Sequence, residues 1–97
     1  MSDKDDKPKN TSWWVYLIRN NNNALYCGVT NNLERRFKMH QTGKGAKALR
    51  GKGPLVLEWS QELNNKIEAM QIEYKIKRLK KADKEALIVD TRLFVPK

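Results

Sequence analysis

The chain has 97 residues, with 20 Lys and Arg against 11 Asp and Glu and a net charge of +9. That length suits one domain, and its 22 Leu, Ile, Val and Phe, with three Trp and three Tyr, suffice for a thin core. No run approaches the ~20 apolar residues of a membrane span, no apolar leader opens the chain, and the single cysteine, Cys27, excludes an internal disulfide and a Cys/His zinc cluster, so a soluble cytoplasmic protein is expected.

Residues 1–12 hold three Asp and three Lys together with Pro8, and are expected to form a disordered tail. Residues 13–18 and 24–29 are rich in aromatic and β-branched side chains and are predicted strands. The asparagine run Asn20 to Asn23 between them marks a β-hairpin. Asn31-Asn32-Leu33-Glu34 carries a capping-box pattern, with Asn31 as the expected cap. The helix it opens is expected to run to about Gln41, burying Leu33 and Phe37, and to stop at Gly43.

Seven basic residues and no acidic one lie between Arg35 and Lys52, and six against one Asp between Lys75 and Lys84. Such windows are the footprint of a polyanion. Gly43 to Gly53 lacks the phosphate-loop spacing, since five residues separate Gly45 from Gly51 and Gly53 follows Lys52. It is predicted to be a flexible basic loop with one helical turn at Ala46 to Leu49.

Pro54 to Trp59 is a predicted third strand, and Asn65-Lys66-Ile67-Glu68 a second capping box opening a helix to about Leu79. Ile67, Met70 and Tyr74, with Ala69, Ile72, Ile76 and Leu79, are expected to form one wide buried stripe. Glu73 should border that core, where a carboxylate wants a partner or a metal. A last helix is expected over Ala82 to Asp90. The expected fold is α+β, a small three-stranded antiparallel sheet with helices packed on it in the order β-β-α-β-α-α, with the domain over 13–90 and a C-terminal extension over 91–97.

Tyr16 and Tyr26 lie ten residues apart, Arg36 ten further on, His40 one helical turn beyond, and Glu73 on the second long helix. A hairpin and a helix can aim phenol, guanidinium and imidazole at one spot. A phosphodiester under attack gains oxyanion charge that a guanidinium fork stabilises, a lone carboxylate suits a hard divalent ion that keeps most of its waters, and a phenol serves as base when positive charge lowers its pKa from about 10.

In order and spacing these residues resemble the GIY-YIG nuclease superfamily, most closely its small stand-alone bacterial members. The resemblance covers about Trp13 to Ile88 and rests on Trp14-Val15-Tyr16, Tyr26-Cys27-Gly28, Asn32 to Phe37, His40 and Glu68 to Glu73. The first tripeptide keeps only its tyrosine, the second its tyrosine and glycine, and Val29 stands where relatives often carry a basic or polar residue. The resemblance implies catalytic roles for Tyr16, Tyr26, Arg36, His40 and Glu73, with Glu73 as ligand of a single Mg²⁺ or Mn²⁺ and no small-molecule cofactor. It implies DNA as substrate, with RNA as the alternative and no membrane partner, and a DNA endonuclease of weak sequence specificity acting in repair, recombination or nucleoid maintenance.

Gly28, Arg35, Lys44, Lys47, Arg50 and Lys52 are the expected nucleic-acid contacts. Roughly five to seven phosphate contacts would give a log–log salt slope of about −5 to −6. The rival readings are a catalytically silent nucleic-acid-binding module of the same fold and a protein-interaction module using Trp13, Trp14 and Trp59.

Overall fold

A computed structural model of the chain describes residues 12–90 and residue 94. Strands β1 (Trp13–Arg19), β2 (Leu25–Thr30) and β3 (Val56–Leu63) alternate with helices α1 (Leu33–Gln41), α2 (Lys66–Lys77) and α3 (Lys81–Asp90) in the order β-β-α-β-α-α. The sheet is antiparallel in the order β2-β1-β3, so β1 is the central strand. The expected tail over 1–12 and extension over 91–97 fall outside the described residues except at Ser12 and Phe94.

The asparagine run closes the first hairpin by its own chemistry. Asn20 Oδ1 accepts from the N–H groups of Asn22 (2.8 Å) and Ala24 (3.0 Å), and Asn23 takes a left-handed φ of 67°. Arg19, at the end of β1, ties this hairpin to the rest of the fold. Its guanidinium donates at 2.7 Å to each carboxylate oxygen of Glu85 on α3 and at 2.6 Å to Glu58 on β3.

Val15 to Ile18 are all buried, because β1 is covered on both faces. Alternation along the strand divides them. Val15 and Leu17 join Cys27, Trp59 and the α2 and α3 residues Ile72, Ile76 and Leu87 in one cluster. Tyr16 and Ile18 join Leu49 and Leu55 in another, against which Tyr26, Leu33 and Phe37 pack. The sheet thus separates two small cores, with α1 and the 43–53 loop on one side and α2 and α3 on the other.

The structure corrects several sequence expectations. The cap of α1 is Asn32, one residue later than expected, with Oδ1 accepting from Arg35 N–H at 3.1 Å. In the second box Asn65 caps α2 as expected, while Glu68 reaches back to the N–H of Asn64 rather than of the cap itself. Strand β3 begins two residues later than expected and runs on to Leu63, leaving Pro54 outside it.

The wide buried stripe on α2 divides into two opposite faces. Ala69, Ile72 and Ile76 are buried, but Ile67 is 70% and Tyr74 62% exposed, and Met70 is exposed with them. At 100° per residue these two sets lie on opposite sides of the helix, and only one side meets the sheet. Beyond α3, Phe94 packs on the α2–α3 core, and its backbone N–H and C=O pair with the Gln61 side chain on β3 (2.6 and 3.2 Å).

The two faces of α2 make a contrast that unfolding can measure. Ile76→Ala is expected to cost about 2–5 kcal/mol through lost contacts and a cavity. Ile67→Ala, nine residues earlier on the same helix, is expected to cost no more than about 0.5 kcal/mol. Both are read from urea midpoints at unchanged slope.

Candidate active site

The β1–β2 register places Tyr16 directly opposite Gly28 and Ile18 opposite Tyr26, so both phenols stand on the α1 side of the sheet. Gly28 is what lets the Tyr16 ring lean across the edge strand. A Cβ there would lie 2.5 Å from Tyr16 Oη and 2.7 Å from Cζ, closer than atoms approach. The space that a side chain at Gly28 would take is filled by the phenol.

Helix α1 has a single fully buried residue, His40. Its Nε2 lies 2.8 Å from Tyr16 Oη, a buried hydrogen bond between groups 1% and 2% exposed. Tyr26 completes the cluster, its ring centroid 5.7 Å from that of His40, edge-on, and 6.4 Å from that of Tyr16. Where the chain leaves α1, Gly43 takes φ +80° as expected of a helix stop. The loop then folds back over the imidazole, and Ala46 N–H donates to His40 Nδ1 at 3.0 Å.

That second bond fixes the tautomer. A ring nitrogen that accepts carries no proton, so Nδ1 is bare and the proton of the neutral imidazole sits on Nε2. His40 therefore donates to the Tyr16 oxygen, and the phenol proton is left for another acceptor. Burial, and then the positive charge of Arg36, lower the His40 pKa and keep the ring neutral. Burial pushes the Tyr16 phenol up to about 12, opposed by the neighbouring guanidinium of Arg36. Both nitrogens of His40 are engaged, so in this arrangement the ring neither ligates a metal nor meets a phosphate.

Four expected residues, Tyr16, Tyr26, Arg36 and His40, thus come together. Glu73 stands elsewhere, on α2 across the sheet. Its side chain is 19% exposed and forms an ion pair with Lys77 at 3.2 Å. Its carboxylate and Lys77 both act on the thiol of Cys27, which is pushed up to about 12 chiefly by burial. Lys77 in turn feels Tyr26, so the carboxylate lies near β2, the strand at that edge of the sheet. Among the described residues no group of three or more His, Cys, Asp or Glu could hold a metal. A single hard carboxylate still suits a magnesium-like ion that keeps its waters and takes further oxygens from a phosphate, provided the Lys77 ammonium moves off.

Arg35, Lys44, Lys47 and Arg50 are exposed and Lys52 is half-buried. The predicted turn in their loop is a 3₁₀ turn over Lys47–Leu49, anchored by the buried Leu49. Sequence reasoning did not single out Gly45. A Cβ on it would lie 2.2 Å from His40 Nδ1, and its place in a glycine-rich stretch was the one available signal.

Residues 12–86 match the model of the GIY-YIG catalytic domain. A UPF0213 protein of Vibrio parahaemolyticus is 70% identical over 76 residues, 78% of this chain and 72% of that protein. The UPF0213 protein YhbQ of Salmonella typhimurium is 50% identical over 84 residues, 87% and 84% respectively. The solution NMR structure of a UPF0213 protein from Bacillus halodurans superposes with a TM-score of 0.53 at 38% identity, covering 80% of this chain and 83% of that one.

The buried imidazole gives the fold an acid sensitivity. The unfolded ring takes up a proton near pH ~6.5, whereas the folded ring resists it to lower pH. The unfolded state then binds more protons, so stability is lost as pH falls below that value. The urea midpoint is expected to drop between pH 7.5 and 5.5, and the drop is expected to shrink in His40→Gln; an equal drop in both proteins would refute the assignment.

Proposed function

Because the chain belongs to the GIY-YIG catalytic domain family, we propose that it is a divalent-metal-dependent nuclease that hydrolyses phosphodiester bonds in DNA with little sequence preference. The observation that carries this reading is the convergence of Tyr16, Tyr26, His40 and Arg36 on one face of the sheet, around a phenol oxygen that receives a hydrogen bond from a neutral imidazole.

The chemistry follows from where the donors point. Hydrolysis needs a proton removed from water as its oxygen attacks phosphorus, and the Tyr16 oxygen takes it once the phenol is ionised against the burial that raises its pKa. His40 Nε2–H donates to that oxygen and the positive charge of Arg36 acts on it, and both favour its ionised form. Tyr26, half-buried beside it, is the phenol that water and phosphate reach first. The half-buried Arg36 offers its N–H groups to the non-bridging phosphate oxygens, whose charge grows in the five-coordinate state. Glu73 would hold the divalent ion, which when bound neutralises charge on the phosphate and the leaving oxygen. The exposed cations Lys44, Lys47, Arg50 and Arg35 hold the backbone outside the site, giving affinity without base choice. A role in repair, recombination or nucleoid maintenance suits such a nuclease.

The test is nicking of supercoiled and branched DNA in Mg²⁺ or Mn²⁺ by the wild type and by Arg36→Ala, Glu73→Ala and Tyr16→Phe. Loss of the guanidinium is expected to lower the rate at least ~100-fold, with comparable losses in the other two. Cleavage persisting in both Arg36→Ala and Glu73→Ala would overturn the reading, and tight binding without cleavage of any substrate would favour a silent binding module.

Affinity measured between 50 and 200 mM salt in EDTA is expected to fall with a log–log slope of about −5 to −6, and Lys44→Ala with Lys47→Ala is expected to flatten it by about 2. An unchanged slope would remove this loop from the interface.

A further inference from the structure

Between Lys44 and Lys47, both exposed, lie the two residues whose backbone touches the buried imidazole. Ala46 donates its N–H to His40 Nδ1, and Gly45 passes so close that any side chain would strike the ring, with a built Cβ 2.2 Å from Nδ1, 2.8 Å from Cε1 and 3.0 Å from Cγ. The segment is pinned on both flanks. Lys44 N–H bonds Met39 C=O at 2.9 Å, Leu49 N–H bonds Ala46 C=O at 3.0 Å, and Leu49 is itself buried. Farther on, Asn21 N–H holds Lys52 C=O at 2.8 Å, fastening the loop to the hairpin turn.

We propose that Gly45 and Ala46 are positioning residues that lock the His40 tautomer, and that a phosphate backbone gripped by Lys44 and Lys47 acts on Tyr16 through that lock. The coupling half of this proposal rests on the nucleic-acid reading above. The lock itself does not, since it concerns the free protein.

The two tautomers would make different sites. With the loop amide in place, Nδ1 is occupied as acceptor, Nε2–H donates to Tyr16 Oη, and the imidazole stabilises a phenolate without taking its proton. If the amide were withdrawn, the ring could carry its proton on Nδ1, and Nε2 would then accept from the Tyr16 hydroxyl and hold that proton back from exchange. The loop thereby decides whether His40 serves Tyr16 as donor or as acceptor. Because the cations that face the phosphates are the immediate neighbours of the residues on the ring, a shift of the loop under substrate cannot leave the imidazole where it was. A glycine is required because the loop comes so close to the ring that a Cβ at this position would lie 2.2 Å from Nδ1.

The readout is the pair of His40 ring nitrogens in ¹⁵N-labelled protein, observed through two-bond proton–nitrogen correlations without metal or DNA. The wild type is expected to show an unprotonated Nδ1 and a protonated Nε2, and a protonated Nδ1 would overturn the lock. Gly45→Ala is expected to shift both resonances towards a mixture of tautomers while the backbone spectrum remains that of a folded chain. Unchanged ring resonances would overturn the role of Gly45.

Adding a short DNA duplex in EDTA is expected to move the His40 ring resonances of the wild type. The duplex is expected to leave them in place in the surface variant Lys44→Ala with Lys47→Ala, compared at equal occupancy by fluorescence anisotropy. A duplex that binds the wild type without moving them would overturn the coupling and spare the nucleic-acid reading. Failure of any duplex to bind would overturn the coupling and that reading together, while the DNA-free spectrum still decides the lock.

Discussion

The bond between Tyr16 and His40 depends on the central strand being covered on both faces. A strand in that position has no solvent side, so every side chain from Val15 to Ile18 must be accommodated inside. Three of the four are aliphatic and pack; the fourth carries a hydroxyl, and a buried hydroxyl without a partner is costly. The only fully buried side chain of α1 meets it. The imidazole brings the same difficulty with it, since its second nitrogen also needs a partner, and that partner is the Ala46 amide. Phenol oxygen, imidazole and loop amide form one chain of hydrogen bonds through the thinner core, and removing the imidazole deprives both of its neighbours of their partner.

Two glycines make room for that chain, and neither is required by backbone conformation. Gly28 sits in an ordinary strand position and Gly45 in a loop; what each lacks is a Cβ that would lie 2.5 Å from Tyr16 Oη in the first case and 2.2 Å from His40 Nδ1 in the second. They flank the polar chain at its two ends. Gly43 and Gly51 differ in kind, since their positive φ values serve turns at which few side chains are tolerated. The glycine content of this segment therefore serves two purposes, and only the second is visible in turn statistics.

Much of the candidate site was legible because its logic is local. The alternation of a strand and the register of a short hairpin put Tyr16 and Tyr26 on one face, and four-residue spacing put Arg36 and His40 on one side of α1. What escaped was tertiary. Nothing in the sequence tells that β1 is central, or that a loop six residues beyond His40 returns to its ring. The α2 stripe was misjudged because an apolar residue does not announce which side of its helix meets the sheet, and Ile67 and Ile76 look alike until the sheet is placed. The Arg19 network was beyond reach for the same reason, since its partners Glu58 and Glu85 lie 39 and 66 residues away.

The position of Glu73 follows from the same division of the sheet. A helix packed on the face of Val15 and Leu17 cannot present a carboxylate to the face of Tyr16 except around an edge, and β2 is the edge available. Alternation makes that strand a thin partition, with Tyr26 and Gly28 towards the phenol cluster and Cys27 between them towards Glu73 and Lys77. The Lys77 ammonium already spans it electrostatically, paired with Glu73 and influenced by Tyr26. A phosphate seated over the edge strand would have guanidinium and phenols on one flank and a carboxylate on the other.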